Sequence, residues 1–264
     1  MKGGVYLPKA EESPVYVKTP HGIARLHGWK VIHQEGYPTR AYEVVTDDYE
    51  MIQHEEVIDL TKQTLEKAGY DIIDESLTVE GRYKSRLFYK ALLWEYEPVE
   101  KDKIGLGIMV TNSYDRSLGL VTYLYGLRLI CLNEMVFGNE ILKLKTIHKG
   151  ETIAERFIKN LLKTLEALET VQTYIKRLIR AEIPTELIDA WLDSLKLAER
   201  YRKLILRQLR PDLDRVTAWE LYNAYTYVIT HKAKMNYMRK TELLRKLNVS
   251  MLALVNTAQR GVKA

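Results

Sequence analysis

The spacing of apolar residues changes lastingly near residue 150 of this chain. Before that point they fall mostly in short β-branched or aromatic-rich runs divided by turn residues; after it they recur at three and four until the end. This switch predicts an α+β chain: an antiparallel β-meander with a packed helix, followed by a long-helix C-terminal region. Residues 1–20, with Pro8, Pro14 and Pro20, read as an extended lead-in, 21–150 as the α+β domain, and 151–264 as a helical region packed on it. GIARLHGWKVIH and TRAYEVVT flank the turn signal QEGYP and predict a hairpin. The spacing over 55–68 predicts a helix, with Glu55 and Glu56 at its positive end and Gly69 at its stop. Four runs between 70 and 126 supply the meander, while LRLICLNEMV (127–136) fits strand and helix equally.

In the helical half, Ile153, Phe157, Leu161, Leu165, Leu168, Tyr174 and Leu178 share one face, and Pro184 breaks the run. A second helix carries Leu187, Ile188, Trp191, Leu192 and Leu195. A third starts at TAWE, where Thr217 and Glu220 fit a capping box. The last, TELLRKLNVSMLALV, can pack back on the domain or pair with another subunit.

An apolar share of 46% beside 28% charged residues suits a globular protein with a sizeable core. No apolar run reaches about 18 residues, so no membrane span is expected, and the N-terminus lacks an apolar stretch of signal-peptide length. The lone Cys131 excludes an internal disulfide framework and a multi-thiolate zinc site. A cytoplasmic location is the resulting expectation. Charge is uneven: residues 1–150 hold 19 Lys+Arg against 22 Asp+Glu, and 151–264 hold 21 against 13. The C-terminal part therefore expects an anionic partner.

Three constellations carry chemistry. Asn112, Ser113 and Asp115 lie in a turn between apolar runs, and Arg128, Cys131 and Asn133 follow in the next element. Turn bonding explains Ser113 and Asp115, but Arg128, set among Leu127, Leu129 and Ile130, needs an acceptor such as Asp115 or a phosphate. On a helix Trp219, Asn223, Tyr227 and His231 succeed one another at steps of four, as a buried aromatic edge or as a ligand-binding line. KAKMNYMRK follows, with Lys232, Lys234, Arg239 and Lys240 around Tyr237, cations for phosphates beside an aromatic for bases. His21, His27 and His33 could share a strand face, although Gly22 and Gly28 interrupt it and a hairpin surface is the simpler reading. No phosphate-binding loop, H-E-x-x-H or G-x-S-x-G occurs, and adjacent carboxylates such as Asp47–Asp48 form no acid/base dyad. An enzyme of familiar type is disfavoured, and no catalytic residue, metal or cofactor is assigned.

NSYD, LRLICLNEMV and WELYNAYTYVITH together resemble the phage- and plasmid-associated family of unknown function numbered 932. Its N-S-x-D turn corresponds to Asn112, Ser113 and Asp115, and its R-x-x-C-x-N element to Arg128, Cys131 and Asn133. Its later N-A-x-T helix with a trailing His corresponds to Asn223, Ala224, Thr226 and His231. The likeness spans roughly residues 40–232. Arg116 stands where the family commonly has Gly, and Glu134 where a small residue is frequent. The resemblance implies a mobile-element protein and brings no known reaction. A helix, a twisted meander and a long helix across it is similar to the core of phage single-strand annealing proteins, which implies DNA-backbone binding and ring assembly.

The leading expectation is a mobile-element nucleic-acid-binding protein that favours single-stranded DNA. Arg128, Lys232, Lys234, Arg239 and Lys240 would meet phosphates, Tyr237 or Tyr227 would stack, and Asn112, Ser113, Asp115, Arg128, Asn133, Asn223, Tyr227 and His231 would form the polar network. The alternative is an interaction protein whose helices mediate assembly with a partner or itself. A third reading is an unfamiliar enzyme using Asp115, His231 or a histidine-bound metal.

Overall fold

A computed structural model describes residues 5–137, 152–209 and 214–261. The expected boundary at residue 150 lies outside them. Strands β1 (Ala10–Thr19), β2 (Gly22–Gln34) and β3 (Tyr37–Thr46) form an antiparallel sheet in that order. The expected hairpin is present: Gln34 pairs with Tyr37, and Gly36 takes φ 70°, which costs a residue without Cβ little. The supposed lead-in differs from expectation, because from Ala10 onward it is the edge strand of this sheet. An edge strand tolerates Pro14, whose missing N–H can face outward.

Helix α1 (His54–Lys67) buries Val57, Thr61 and Leu65 and stops at Gly69, φ 79°. Five strands follow, β4 (Asp74–Glu80), β5 (Arg86–Val99), β6 (Asp102–Ser113), β7 (Val121–Arg128) and β8 (Asn133–Phe137). They neighbour one another in chain order as a meander. The central β6 is buried from Ile104 to Ser113, which explains its near-continuous apolar sequence. The ambiguous LRLICLNEMV is strand, turn and strand: Arg128 ends β7 and pairs with Asn133, the first residue of β8.

The helical part holds α2 (Ile153–Glu166), α3 (Leu168–Arg180), α4 (Thr185–Ser194), α5 (Glu199–Leu206), α6 (Ala218–Tyr227) and α7 (Tyr237–Gly261). The run expected as one helix is interrupted at Ala167, without a Pro or Gly to announce the break. Short strands β9 (Glu182–Pro184) and β10 (Arg215–Thr217) pair antiparallel. The capping box is realised, with Thr217 Oγ1 accepting from Glu220 N at 3.1 Å and Glu220 Oε2 accepting from Thr217 N at 2.9 Å. After α6 the chain winds into one π-helical turn, Val228–Lys232.

The described chain divides into two compact units whose boundary runs through strands rather than between the halves of the sequence. One comprises residues 5–91, 109–122 and 152–162, the other 92–108, 123–137, 163–209 and 214–261. In the first, Ala10, Ile32, Val45 and Tyr114 form a core cluster flanked by Tyr42, Tyr49 and Met51. In the second, β8 is a sheet edge whose carbonyls need covering. Asn248 of α7 does this, donating Nδ2 to Val136 O at 2.7 Å and accepting the Tyr222 hydroxyl on Oδ1 at 2.9 Å. Asn248→Leu keeps the volume and leaves both partners buried and unpaired. The expected loss is about 2–6 kcal/mol, at about 1–3 kcal/mol per orphaned group. That corresponds to a fall in Tm of roughly 5–20 °C by circular dichroism.

Candidate functional site

The N-S-x-D motif belongs to the first unit, and every member has a partner there. Asn112 sits at the end of β6, where its Nδ2 lies 3.1 Å from both Ile52 O and His54 Nδ1, at the entry to α1. Accepting on Nδ1 puts the His54 proton on Nε2. The His54 ring stacks on Tyr114 with centroids 3.9 Å apart. The Tyr114 hydroxyl accepts from His54 N at 2.9 Å and lies 3.1 Å from both the Pro8 carbonyl and Gln53 Oε1. Ser113 Oγ donates to Leu118 O and accepts from Leu118 N, closing the turn. Asp115 accepts from Ser117 and from Ser85 Oγ, with the Arg86 guanidinium at 3.3 Å. Burial works against the Asp115 charge, yet these hydrogen bonds hold its pKa below the ordinary carboxylate value. Arg116 takes φ 56°, a left-handed conformation that glycine adopts without strain.

His54 is fully buried, and desolvation lowers its pKa to about 4, while the main chain of Lys84 and Ser85 and the charge of Asp115 pull the other way. Its ordinary value is 6.5, so on acidification the unfolded chain takes up this proton first. Stability from this group is complete above about pH 6.5, drains away as pH falls, and is lost near pH 4, an effect on the order of 3 kcal/mol. Denaturant titrations across that range are expected to show this slope in the wild type and a flatter one in His54→Asn.

The second unit gathers the remaining motif residues around α6. Arg128 makes a bidentate pair with Asp102, Nε to Oδ1 at 2.6 Å and Nη2 to Oδ2 at 2.9 Å. Trp219 Nε1 donates to the same carboxylate at 3.0 Å. The acceptor for Arg128 is thus Asp102 and not Asp115. Burial disfavours the Arg128 charge, but the bonds to Asp102 and its field outweigh that and raise the pKa above the ordinary value. Asn133 donates Nδ2 to the Asn223 carbonyl at 3.3 Å, and its Oδ1 lies 3.1 Å from His231 Nε2. Thr226 Oγ1 donates to the same Asn223 carbonyl. Glu134 fixes the next turn: its N–H bonds Thr230 Oγ1, and its carboxylate takes the hydroxyls of Tyr125 and Tyr237.

A cavity of about 360 Å³ opens beside these groups, lined by Arg128, Cys131, Asn133, Trp219, Asn223 and Tyr227 among others. Asn223 is 8% exposed, its Nδ2 donates to Trp219 O at 2.8 Å, and its Oδ1 meets no donor among the described residues. The Trp219 carbonyl fixes the amide orientation, because the reversed amide would set oxygen against oxygen. Asn112, Ser113 and Asp115 take no part in this cluster; they serve the other unit.

Of the expected phosphate and base contacts, Arg128 is held by Asp102, Tyr237 gives its hydroxyl to Glu134, and Lys240 gives its ammonium to Thr230 O at 2.7 Å. Arg239 is exposed and pairs with Glu242 on its own helix. Lys232 and Lys234 are exposed, and the Lys232 ammonium lies 5.4 Å from the centre of the Tyr227 ring. The three histidines divide: His21 and His27 are exposed, while His33 is buried against Ser13 Oγ (2.7 Å) and Gln34 O (3.0 Å). No group of three or more potential metal ligands forms among the described residues.

Asp102 is absent from the residues singled out in the sequence. Antiparallel order was the available signal: the first residue of β6 must lie beside the last of β7, and Leu129 N indeed bonds Lys103 O at 2.8 Å. Asp102→Asn removes the counter-charge of Arg128. Because Arg128 keeps 25% side-chain exposure, the expected cost is about 2–3 kcal/mol, below the 3–5 kcal/mol of a fully buried pair. Thermal unfolding of that variant measures it.

The model of a family described as Domain of unknown function (DUF932) matches residues 41–253. No curated protein and no solved structure matches the chain.

Proposed function

The chain belongs to the DUF932 family, and we propose that this member binds single-stranded nucleic acid, as a protein of a mobile element, through its second unit. The observation that carries the reading is a cavity walled by Trp219 and Tyr227 and lined by Asn223, whose buried Oδ1 meets no donor among the described residues. An acceptor kept nearly out of water costs free energy until a donor arrives. Base edges offer N–H donors, and aromatic rings offer the stacking that unpaired bases use. About 360 Å³ falls in the size range of small-ligand sites and admits one splayed-out base.

The phosphates would be met outside the cavity. Lys232, Lys234 and Arg239 follow Tyr227 by five, seven and twelve residues in sequence and carry exposed cations. The excess of Lys and Arg over Asp and Glu in residues 151–264 supplies a favourable field for a polyanion. Arg128 acts differently from the sequence expectation: held by Asp102, it supports the cavity wall. No helix among the described residues is long and apolar enough to cross a membrane.

Fluorescence anisotropy with a labelled mixed-sequence single strand, over about 50–300 mM salt, tests the reading. The joint variant Lys232→Ala, Lys234→Ala, Arg239→Ala is expected to flatten the salt dependence of log K by roughly 2, at about 0.7 per phosphate contact on a single strand. Asn223→Ala is expected to weaken binding about tenfold and leave that slope unchanged, as loss of one buried hydrogen bond would. Failure to bind at low salt, or variants that bind as the wild type does, contradicts the proposal.

A further inference from the structure

The sheet of the first unit is not uniformly covered. Strand β3 accompanies β2 only as far as the Trp29–Thr46 pair. Beyond it β1 and β2 continue as a two-stranded arm, with Tyr16 opposite Arg25, Val17 opposite Ala24, Lys18 opposite Ile23 and Thr19 opposite Gly22. An irregularity sets residues 26–29 of β2 against Val15 alone, and Gly28 there takes φ 81°. Every residue from Gly22 to Trp29 is exposed, as are Tyr16, Val17 and Lys18 across the pairing. Tyr16 keeps 61% of its surface and Ile23 78%. A bare two-stranded ribbon of this kind is marginal by itself and gains from a partner.

The arm's chemistry selects the partner. Between Glu12 and Glu35 there is no acidic residue, although residues 1–150 as a whole are net acidic. Lys30 is answered by Glu12 at 3.0 Å, whereas Lys18 and Arg25 form no ion pair among the described residues. Directly opposed residues share a sheet face, so Tyr16, Arg25, Lys18 and Ile23 lie together, the two pairs about 7 Å apart along the strand. The opposite face carries the smaller Val17, Ala24 and Thr19 with Gly22. Two copies of such a face would bring like charges together, which disfavours self-pairing.

We infer that the β1–β2 arm is a second nucleic-acid contact, in which Lys18 and Arg25 meet phosphates of a single strand and Tyr16 stacks on a base. The inference rests on the nucleic-acid reading above but uses different residues in a different unit. It adds about two counterions to the release on binding and a stacking platform that tolerates any sequence.

The full chain and three variants, Lys18→Ala with Arg25→Ala, Tyr16→Ala, and the triple helical variant at Lys232, Lys234 and Arg239, are titrated into a labelled mixed-sequence single strand at several salt concentrations. The arm double variant is expected to flatten the slope of log K against log salt by about 1.4, and Tyr16→Ala to weaken binding at least about fivefold at unchanged slope. All three side chains are exposed, so Tm is expected to stay at the wild-type value. If both arm variants bind as the wild type does while the helical variant weakens, the arm inference falls and the preceding reading stands. If only the arm variants weaken, the arm is supported and the helical contacts fall. A wild type that binds no strand overturns both. If the arm variants change the oligomeric state by light scattering and leave strand affinity untouched, the face is an interface between copies and the inference falls.

Discussion

A guanidinium at the end of a buried strand has to find an acceptor, and much of the second unit is arranged around that requirement. Asp102, the first residue of β6, supplies both oxygens to Arg128, the last residue of β7, and shares one with the indole of Trp219. One carboxylate thereby joins two strand ends to the first turn of α6. Once Trp219 is held, helical geometry places Asn223 one turn on and Tyr227 two turns on along the same side. These are the residues that line the cavity with Arg128. From Leu221 to Thr226 the helix is buried on every side, so the anchor at its start also sets which polar group is enclosed.

The two groups of motif residues do different work. Asn112, Ser113 and Asp115 are consumed by the scaffold: they bind the entry of α1, close the β6–β7 turn and hold Ser85 and Arg86. Asn112 and Ser113 also line a cavity of about 270 Å³ in the first unit. The second set is also mostly satisfied, with Arg128 on Asp102 and Asn133 between Asn223 and His231. It differs in one atom. Asn223 Oδ1 faces no donor among the described residues, and a buried acceptor without one calls for an explanation such as a ligand.

Much of the architecture was legible from apolar spacing and punctuation. The hairpin at Gly36, the stop at Gly69, the meander and the Thr217–Glu220 capping box follow local rules, and they stand where those rules put them. What escaped depends on pairing between distant segments. The Asp102–Arg128 pair joins residues 26 apart, and β1 is a strand only because β2 lies beside it. The break at Ala167 has no Pro or Gly to mark it. Of the site, the line Trp219, Asn223, Tyr227 was visible as a four-residue period. The loss of Tyr237 and Lys240 to Glu134 and Thr230 was not, because only the folded chain brings those acceptors near.

The proposed binding requires a base to enter the Trp219–Tyr227 cavity. Photocrosslinking a halogenated single-stranded oligonucleotide to the full chain, followed by mass-spectrometric mapping, tests it most directly. The expected result is a crosslink on the peptide carrying Trp219 and Tyr227, abolished by unlabelled competitor strand. Efficient crosslinking confined to other peptides would contradict it.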